Sequence, residues 1–194
     1  MHSILPNYAA LHYGLYSGSL ISILNARRGL SGVICPSCHN KLRARVDGDD
    51  KRFTHVGAEC EYGYNVSVAM LACAVLNEVF RVLIPSAYGE EYKVIRVGFS
   101  RTEFTLGNDI PIIHTTANKK NLYISIKTEH RLNGRALYVA KLRQLPLLEI
   151  DLSSIHDISK DKIKSAILND TRNKYWVYNK LLNSFSTNYV GNFL

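Results

Sequence analysis

The amino-terminal third of the chain contains short segments in which apolar and polar residues alternate, the pattern of half-buried β-strands. Residues 9–34 predict two such strands, joined at the turn-forming cluster Tyr16-Ser17-Gly18. Further along, the segment LRARV alternates apolar with basic residues, VDGDDK carries an Asp-Gly turn signal, and KRFTHV returns. This second segment therefore predicts a β-hairpin.

The segment from Asn65 to Leu83 has the strongest helical pattern, because its apolar residues recur at spacings of three and four. Pro85 follows and is expected to end the helix. Polar and charged residues interrupt the apolar stretch, so the pattern predicts a buried helix rather than a membrane-spanning one.

The second half of the chain predicts a sheet. Strand-like runs occupy residues 92–99, 109–115, 121–128 and 145–152. Residues 134–144 separate the last two runs and have the pattern of a crossover helix. This strand–helix–strand spacing indicates an α/β fold with a mixed sheet, and an α+β fold is the alternative. The segment from Ser159 onward predicts helices that carry Trp176 and several tyrosines.

Composition places the chain among globular proteins, since 46% of its residues are hydrophobic and 21% are charged. The first residues lack the basic start and apolar run of a secretory signal, so we expect a cytoplasmic protein with no membrane partner. Disulfides are rare in that compartment. The four cysteines therefore favour a metal site, except that Cys73, on the helical segment, is expected to be a small core residue.

Cys35 and Cys38 form a Cys-x-x-Cys pair, and the predicted hairpin brings His55 and Cys60 back beside it. Zinc prefers four sulfur or nitrogen ligands at the corners of a tetrahedron. We therefore predict a Zn²⁺ site whose four protein ligands leave no position for water, which makes the site structural rather than catalytic. The alternative is a reduced cysteine pair beside unrelated residues, and His39 is the substitute ligand if His55 is not one.

The net charge of +8, with an isoelectric point near 9.3, favours a polyanionic partner, and DNA first. The candidate DNA-binding residues lie on the predicted hairpin and are Arg43, Arg45, Lys51 and Arg52. Arg43 and Arg45 alternate on one strand face, which suits a phosphate backbone. The alternative is a solvated hairpin edge whose charge protects it from aggregation.

Five motifs, in the order CPSCHNKL, RFTHVGAEC, GNDIPII, LYISIKTEH and LLEIDLS, resemble those of the competence protein CoiA family, as do the helical segment after Asn65 and the distant WVYN. The resemblance extends from about residue 9 to residue 182. It implies a small zinc-binding module in residues 1–62, followed by a nuclease-like domain in residues 63–194. That domain has the PD-(D/E)XK, or restriction-endonuclease-like, fold: a mixed sheet flanked by helices, in which carboxylates hold Mg²⁺ for phosphodiester cleavage.

Carried over motif by motif, the resemblance implies that Asp109 is a metal-binding aspartate and that Lys127 orients or deprotonates the attacking water. Ser125 occupies a position where the family is expected to have a glutamate. Asn65 or Ser67 occupies another such position, at the head of the long helix. Two of the three expected acids are therefore replaced.

These observations leave three functions open. The first is a DNA-associated zinc protein with a degenerate nuclease-like fold, acting in DNA processing or in defence against mobile elements or phage. The second is a magnesium-dependent deoxyribonuclease that uses Asp109, Lys127 and a relocated carboxylate, foremost Glu129. The third is an adaptor that binds protein partners in a larger assembly. Glu149 and Asp151 are further carboxylate donors, or else the polar face of an amphipathic strand.

Overall fold

The computed structural model describes most of the chain and shows a mixed α+β protein. Within the described residues, ten β-strands and two α-helices have defined bounds. The chain divides into two compact units, Met1–Leu71 and Ala72–Leu194. The residues that the structure describes are 11–48, 50–58, 60, 62–79, 81–85, 94–107, 110–117, 119–128, 138, 142–155 and 159–179.

Two hairpins occupy the first unit, and both confirm the sequence prediction. In the first, β1 (Tyr13–Tyr16) and β2 (Ser19–Ser22) pair antiparallel, and a 3₁₀ turn (Ile23–Asn25) follows. Ser17 and Gly18, between the strands, have φ values of 50° and 78°. Positive φ at both central residues is the requirement of a type I′ turn, whose twist matches that of the flanking strands.

The second hairpin joins β3 (Leu42–Asp47) to β4 (Asp50–His55) in antiparallel register. Alternate residues of β3 face the core, so that Leu42 and Ala44 are buried while the residues beside them are exposed. Phe53 lies directly opposite Ala44 and is buried in the same core. The buried cluster of this unit consists of Leu11, Ile23, Ala26, Val33, Cys35, Leu42, Ala44 and Phe53.

Helix α1 extends over Gly63–Val79, and the division between the two units falls within it. The predicted end of this helix is wrong, because strand β5 (Arg81–Pro85) replaces the last expected turn. β5 pairs antiparallel with the strand that follows, and its Val82 and Ile84 are buried. Apolar residues fit a helix or a strand equally well, so the pairing with the next strand determines that residues 81–85 form a strand. Neither helix bounded in the described residues is long and apolar enough to cross a bilayer.

The second unit is built on a six-stranded sheet. Its strands are β5, β6 (Val94–Gly107), β7 (Ile110–Ala117), β8 (Lys120–Lys127), β9 (Leu147–Asp151) and β10 (Lys174–Tyr178). Their order across the sheet is β10-β9-β8-β7-β6-β5, and all neighbours are antiparallel except β8 and β9, which are parallel. Parallel neighbours need a crossover connection. In the predicted crossover helix, Tyr138 and Leu142 are helical, and residues 134–137 and 139–141 lie outside the described residues.

The predicted strands in this sheet are confirmed, but β6 is longer than the run at 92–99 indicates. Its first residues pair with β5 and its later ones with β7, and the register shifts between Phe99 and Thr102. At the shift, the side-chain amide of Asn77 donates to Thr102 C=O at 2.9 Å and accepts from Thr102 N–H at 3.2 Å. A polar residue of the apolar helix α1 thus satisfies the backbone of an irregular strand.

Within the described residues after Ser159, helix α2 (Lys160–Asn169) is followed by strand β10, so the prediction of helices throughout is wrong for Trp176. Ser159 caps α2 by accepting a hydrogen bond from Lys162 N–H. β10 is rich in aromatic residues, which suit a strand that pairs with β9. The indole N–H of Trp176 donates to Pro85 C=O at 3.0 Å, which ties β10 to the end of β5.

Candidate metal centre

Cys35 and Cys38 lie on a tight turn. Cys35 N–H donates to Asn40 C=O at 2.8 Å, and His39 N–H donates to Cys35 C=O at 3.0 Å. His39 has a φ of 58°, in the left-handed region, where the chain completes its reversal. The chain therefore folds back within the Cys-Pro-Ser-Cys segment, which brings the two thiols together.

Strand β4 delivers the imidazole. His55 is the last residue of β4 and lies directly opposite Leu42, shortly after the Cys-x-x-Cys turn. Val56 N–H donates to Lys41 C=O at 2.9 Å and holds the end of the strand against the turn. As a result, Nε2 of His55 lies 3.5 Å from Sγ of Cys38. The register of the hairpin thus sets the histidine beside the thiol pair.

Cys60 lies just before α1, and Gly63 N–H, at the start of that helix, donates to Cys60 C=O at 3.5 Å. A β-carbon on Gly63 would lie 2.9 Å from Sγ of Cys35 and 3.2 Å from the Leu11 side chain. Glycine therefore lets the positive end of the helix dipole approach the thiols closely. The spacing of the metal ligands alone does not identify Gly63 as part of the site. A glycine that lies between a ligand and an apolar helical segment is nevertheless a sequence signal for close packing of a helix against the ligands.

The structure brings all four predicted zinc ligands together. Sγ of Cys35, Cys38 and Cys60 and a ring nitrogen of His55 lie within 4.8 Å of one another. Sulfur ligands on a zinc tetrahedron are about 3.8 Å apart, because each Zn–S bond is about 2.3 Å long. The donor set and its spacing therefore suit a zinc ion. His39, the substitute ligand, is not part of this group.

The cysteines have different environments. Burial raises the pKa of the Cys35 thiol to about 12, and Ser37 N–H donates to its Sγ at 3.4 Å. Burial also raises the pKa of Cys60, but hydrogen bonds from the Ser37 side chain and the Tyr62 backbone outweigh it, so the net pKa is lowered. Hydrogen bonds of this kind favour the thiolate, which is the zinc-binding form. Cys73 is buried on α1, as predicted for a small core residue.

The hairpin separates the four candidate DNA-binding residues. Arg43 and Arg45 are exposed on β3, and Arg45 lies directly opposite Arg52, so these three side chains share one face. Lys51 lies opposite Val46 and belongs to the other face of the same hairpin. Three of the four residues therefore form a common surface and Lys51 does not.

Strands β8 and β9 carry the polar residues that the CoiA resemblance singles out, and these residues lie opposite one another. Ser125 lies opposite Glu149, and Lys127 lies opposite Asp151. Nζ of Lys127 lies 2.5 Å from Oδ2 of Asp151, and Ser153 donates to Oδ1 from its N–H at 2.9 Å and its hydroxyl at 2.6 Å. Burial raises the pKa of Asp151, but these hydrogen bonds and the charge of Lys127 outweigh it, so the net pKa is lowered. Asp151 is therefore an ionised carboxylate whose two oxygens are both engaged.

Glu149 is only 3% exposed, so the alternative of an amphipathic strand with a polar outer face is wrong for this residue. The Ser125 hydroxyl donates to its Oε2 at 3.3 Å, and the Tyr175 hydroxyl donates to its Oε1. A buried carboxylate needs such donors to offset the loss of water. Tyr175 comes from β10, and no sequence motif links it to Glu149, because strand register alone brings the two together.

Asp109 and Glu129 lie outside the described residues, so their roles stay predictions. Asn65 and Ser67 are buried near the start of α1, and the Ser67 hydroxyl donates to Tyr64 C=O at 2.7 Å. A magnesium site needs carboxylate oxygens that are available to the ion. The oxygens of Glu149 and Asp151, the carboxylates of β9, accept hydrogen bonds from the chain itself.

Comparison with known proteins adds no assignment. No family model matches this chain, and no curated protein or solved structure matches it significantly. The resemblance to the CoiA family therefore depends on the sequence motifs alone and stays a hypothesis.

Proposed function

We propose that this protein is a DNA-associated zinc protein with a degenerate nuclease-like domain that does not cleave DNA. The observation that carries the proposal is the pairing of β8 with β9. Lys127 forms an ion pair with Asp151, and Ser125 donates a hydrogen bond to Glu149. The carboxylates of β9 are therefore engaged by side chains of β8, whereas a nuclease would present its carboxylates to a metal ion.

The zinc part of the proposal is supported by the Cys₃His group. Four protein ligands fill the tetrahedron, so the ion would supply no reactive water and would act through structure. It would join the Cys-x-x-Cys turn, the end of β4 and the start of α1, which are separate elements of a small core. Metal ligation of this kind contributes directly to the folding free energy.

The nuclease-like part is supported by the sheet. A mixed sheet with a parallel β8–β9 pair is the architecture that the CoiA resemblance leads us to expect. Phosphodiester cleavage of this type needs a metal ion that generates hydroxide and stabilises the developing charge. Serine replaces one expected acid, and Lys127 neutralises the neighbouring carboxylate of Asp151, so the domain would lack the chemistry of cleavage.

The choice of DNA is supported by the net charge of +8, which draws the protein to a polyanion by long-range attraction. DNA processing, or defence against mobile elements or phage, is the setting in which a non-cleaving DNA-binding protein of this type would act. Its binding should weaken steeply with salt, because phosphate contacts release counterions.

The test uses the full-length, zinc-loaded protein with linear, nicked and single-stranded DNA, each with Mg²⁺ or Mn²⁺. We expect salt-sensitive binding and no cleavage, and Asp109→Ala should bind as the unaltered protein does. Metal-dependent cleavage that Asp109→Ala abolishes would contradict the proposal and establish a nuclease. Absence of binding at low salt would also contradict it and favour an adaptor.

A further inference from the structure

The hairpin of β3 and β4 presents one exposed face that is basic from Lys41 to Arg45 and ends in an acid, Asp47, beside the turn. Lys41, Arg43 and Arg45 are exposed and occupy alternate positions, whereas Leu42 and Ala44 between them are buried. Alternate residues of a strand are separated by about 6.7 Å, a step comparable to that between successive phosphates of a nucleic-acid strand. The cations are thus spaced to follow a phosphodiester backbone rather than to hold a single small anion.

The two arginines of β3 form no ion pair with another residue that the structure describes. Within the part of the chain that the structure describes, neither Arg43 nor Arg45 forms an ion pair, and the acid at the end of β3, Asp47, lies 4.0 Å from Arg28 instead. On the neighbouring strand, Arg52 lies opposite Arg45, and Thr54 lies opposite Arg43. A half-buried guanidinium, which also interacts within the chain, and a hydroxyl group therefore lie across from the two arginines, and side chains of both types are found in contact with phosphate oxygens.

The zinc group is built into the same hairpin. Cys38 lies on the turn that leads into Lys41, and His55 ends β4. The Val56 N–H to Lys41 C=O hydrogen bond closes the hairpin beside the ligands. A bound metal would therefore fix the open ends of both strands, and its removal would release the strands that hold the basic residues in line.

We propose that Lys41, Arg43, Arg45 and Arg52, the basic face, form the surface that binds the DNA backbone, and that metal occupancy of the adjacent Cys₃His group controls its affinity. This inference depends on the proposed function, since it names the contact surface and its regulator for the same DNA partner. It predicts sequence-independent binding, because phosphate contacts carry no direct base readout.

Lys51 supplies a matched control. It is exposed and lies on the same hairpin, but it is opposite Val46 and belongs to the other face. Lys51→Gln therefore removes the same charge as Arg43→Gln or Arg45→Gln without altering the basic face. Any difference between the variants then reports position rather than net charge.

The test measures binding of a fluorescent duplex oligonucleotide of arbitrary sequence to the full-length protein over a range of salt concentrations. We expect Arg43→Gln and Arg45→Gln each to weaken binding roughly tenfold at low salt and to reduce the salt slope by about 1. Lys51→Gln should change affinity by less than about twofold, in keeping with the absence of a direct contact. Far-UV circular dichroism of each zinc-loaded variant would check that the fold is intact.

Metal dependence is measured with the same probe. Chelation should abolish binding, and added Zn²⁺ should restore it. Arginine variants that bind like the unaltered protein, a Lys51 variant that loses as much as they do, or a chelated protein that binds undiminished would each overturn this inference while leaving DNA binding itself intact. If the unaltered, zinc-loaded protein did not bind the duplex, the proposed function would fail instead.

Discussion

Lys174 shows how one residue can link the fold to pH. Its side chain is buried at the start of β10, and its ammonium group donates to the C=O of Asp170, the residue that ends α2. A cation at this place satisfies a helix carbonyl and opposes the negative end of the helix dipole. Burial nevertheless lowers the pKa of Lys174 from its ordinary 10.5 to about 8, and the charge of Asp170 offsets only part of that effect.

The sign of the resulting pH dependence follows from this lowered pKa. Below pH 8 both the folded and the unfolded chain carry the proton, so the folded protein bears the full cost of a buried charge. Between pH 8 and 10.5 only the unfolded chain keeps the proton, so the free energy of unfolding should rise with pH relative to Lys174→Met. The rise should be on the order of 3 kcal/mol across that range. Urea unfolding of both proteins at several pH values would measure it, and a constant difference would contradict it.

Among single residues, the four members of the candidate metal centre could be predicted because their types and spacing are local properties of the sequence. The contacts of Glu149 could not be, because Ser125 and Tyr175 reach it from strands that are distant along the chain. Glu149 and Asp151 alternate with apolar residues, which is also the pattern of an outward polar face. In a central strand, both faces are covered, and a buried acid looks the same in sequence as an exposed one.

At the scale of elements, local patterns located the hairpins and the strands well but misplaced the end of α1 and the start of β10. Residues 81–85 and 174–178 have apolar and aromatic side chains that fit a helix or a strand. Both segments form strands because they pair with β6 and β9, respectively. Pairing with a distant segment cannot be recognised from the local sequence. Turns can be recognised from the local sequence, because only a few residue types, such as the glycine at Gly18, readily adopt a positive φ.

Trp176 gives a test of how the sheet elements are held together. Trp176→Phe keeps an aromatic ring but removes the indole N–H that donates to Pro85 C=O. We expect it to lower the free energy of unfolding by about 1 kcal/mol, the usual contribution of one hydrogen bond, with a further loss from the smaller ring. Chemical denaturation would measure the change. Tyr138→Phe, at an exposed position, is the control, and equal stability of the two variants would contradict the assignment.

At the scale of the whole molecule, the two claims about function belong to different parts of the chain. The Cys₃His group and the basic face lie within Met1–Leu71, whereas the β8–β9 contacts lie within Ala72–Leu194. The proposed loss of cleavage and the proposed DNA binding can therefore be tested with separate variants. The net charge of +8 favours association with a polyanion but does not place the contact, which is why the hairpin variants are needed.

The decisive measurement is the zinc content of the purified protein, because the proposed zinc-binding module and the proposed metal dependence of its basic face both require the ion. Inductively coupled plasma mass spectrometry should find a single zinc ion per chain, lost in Cys38→Ser and His55→Ala and retained in His39→Ala and Cys73→Ser. A metal-free protein that is fully folded, or zinc that persists in His55→Ala and disappears in His39→Ala, would contradict the account.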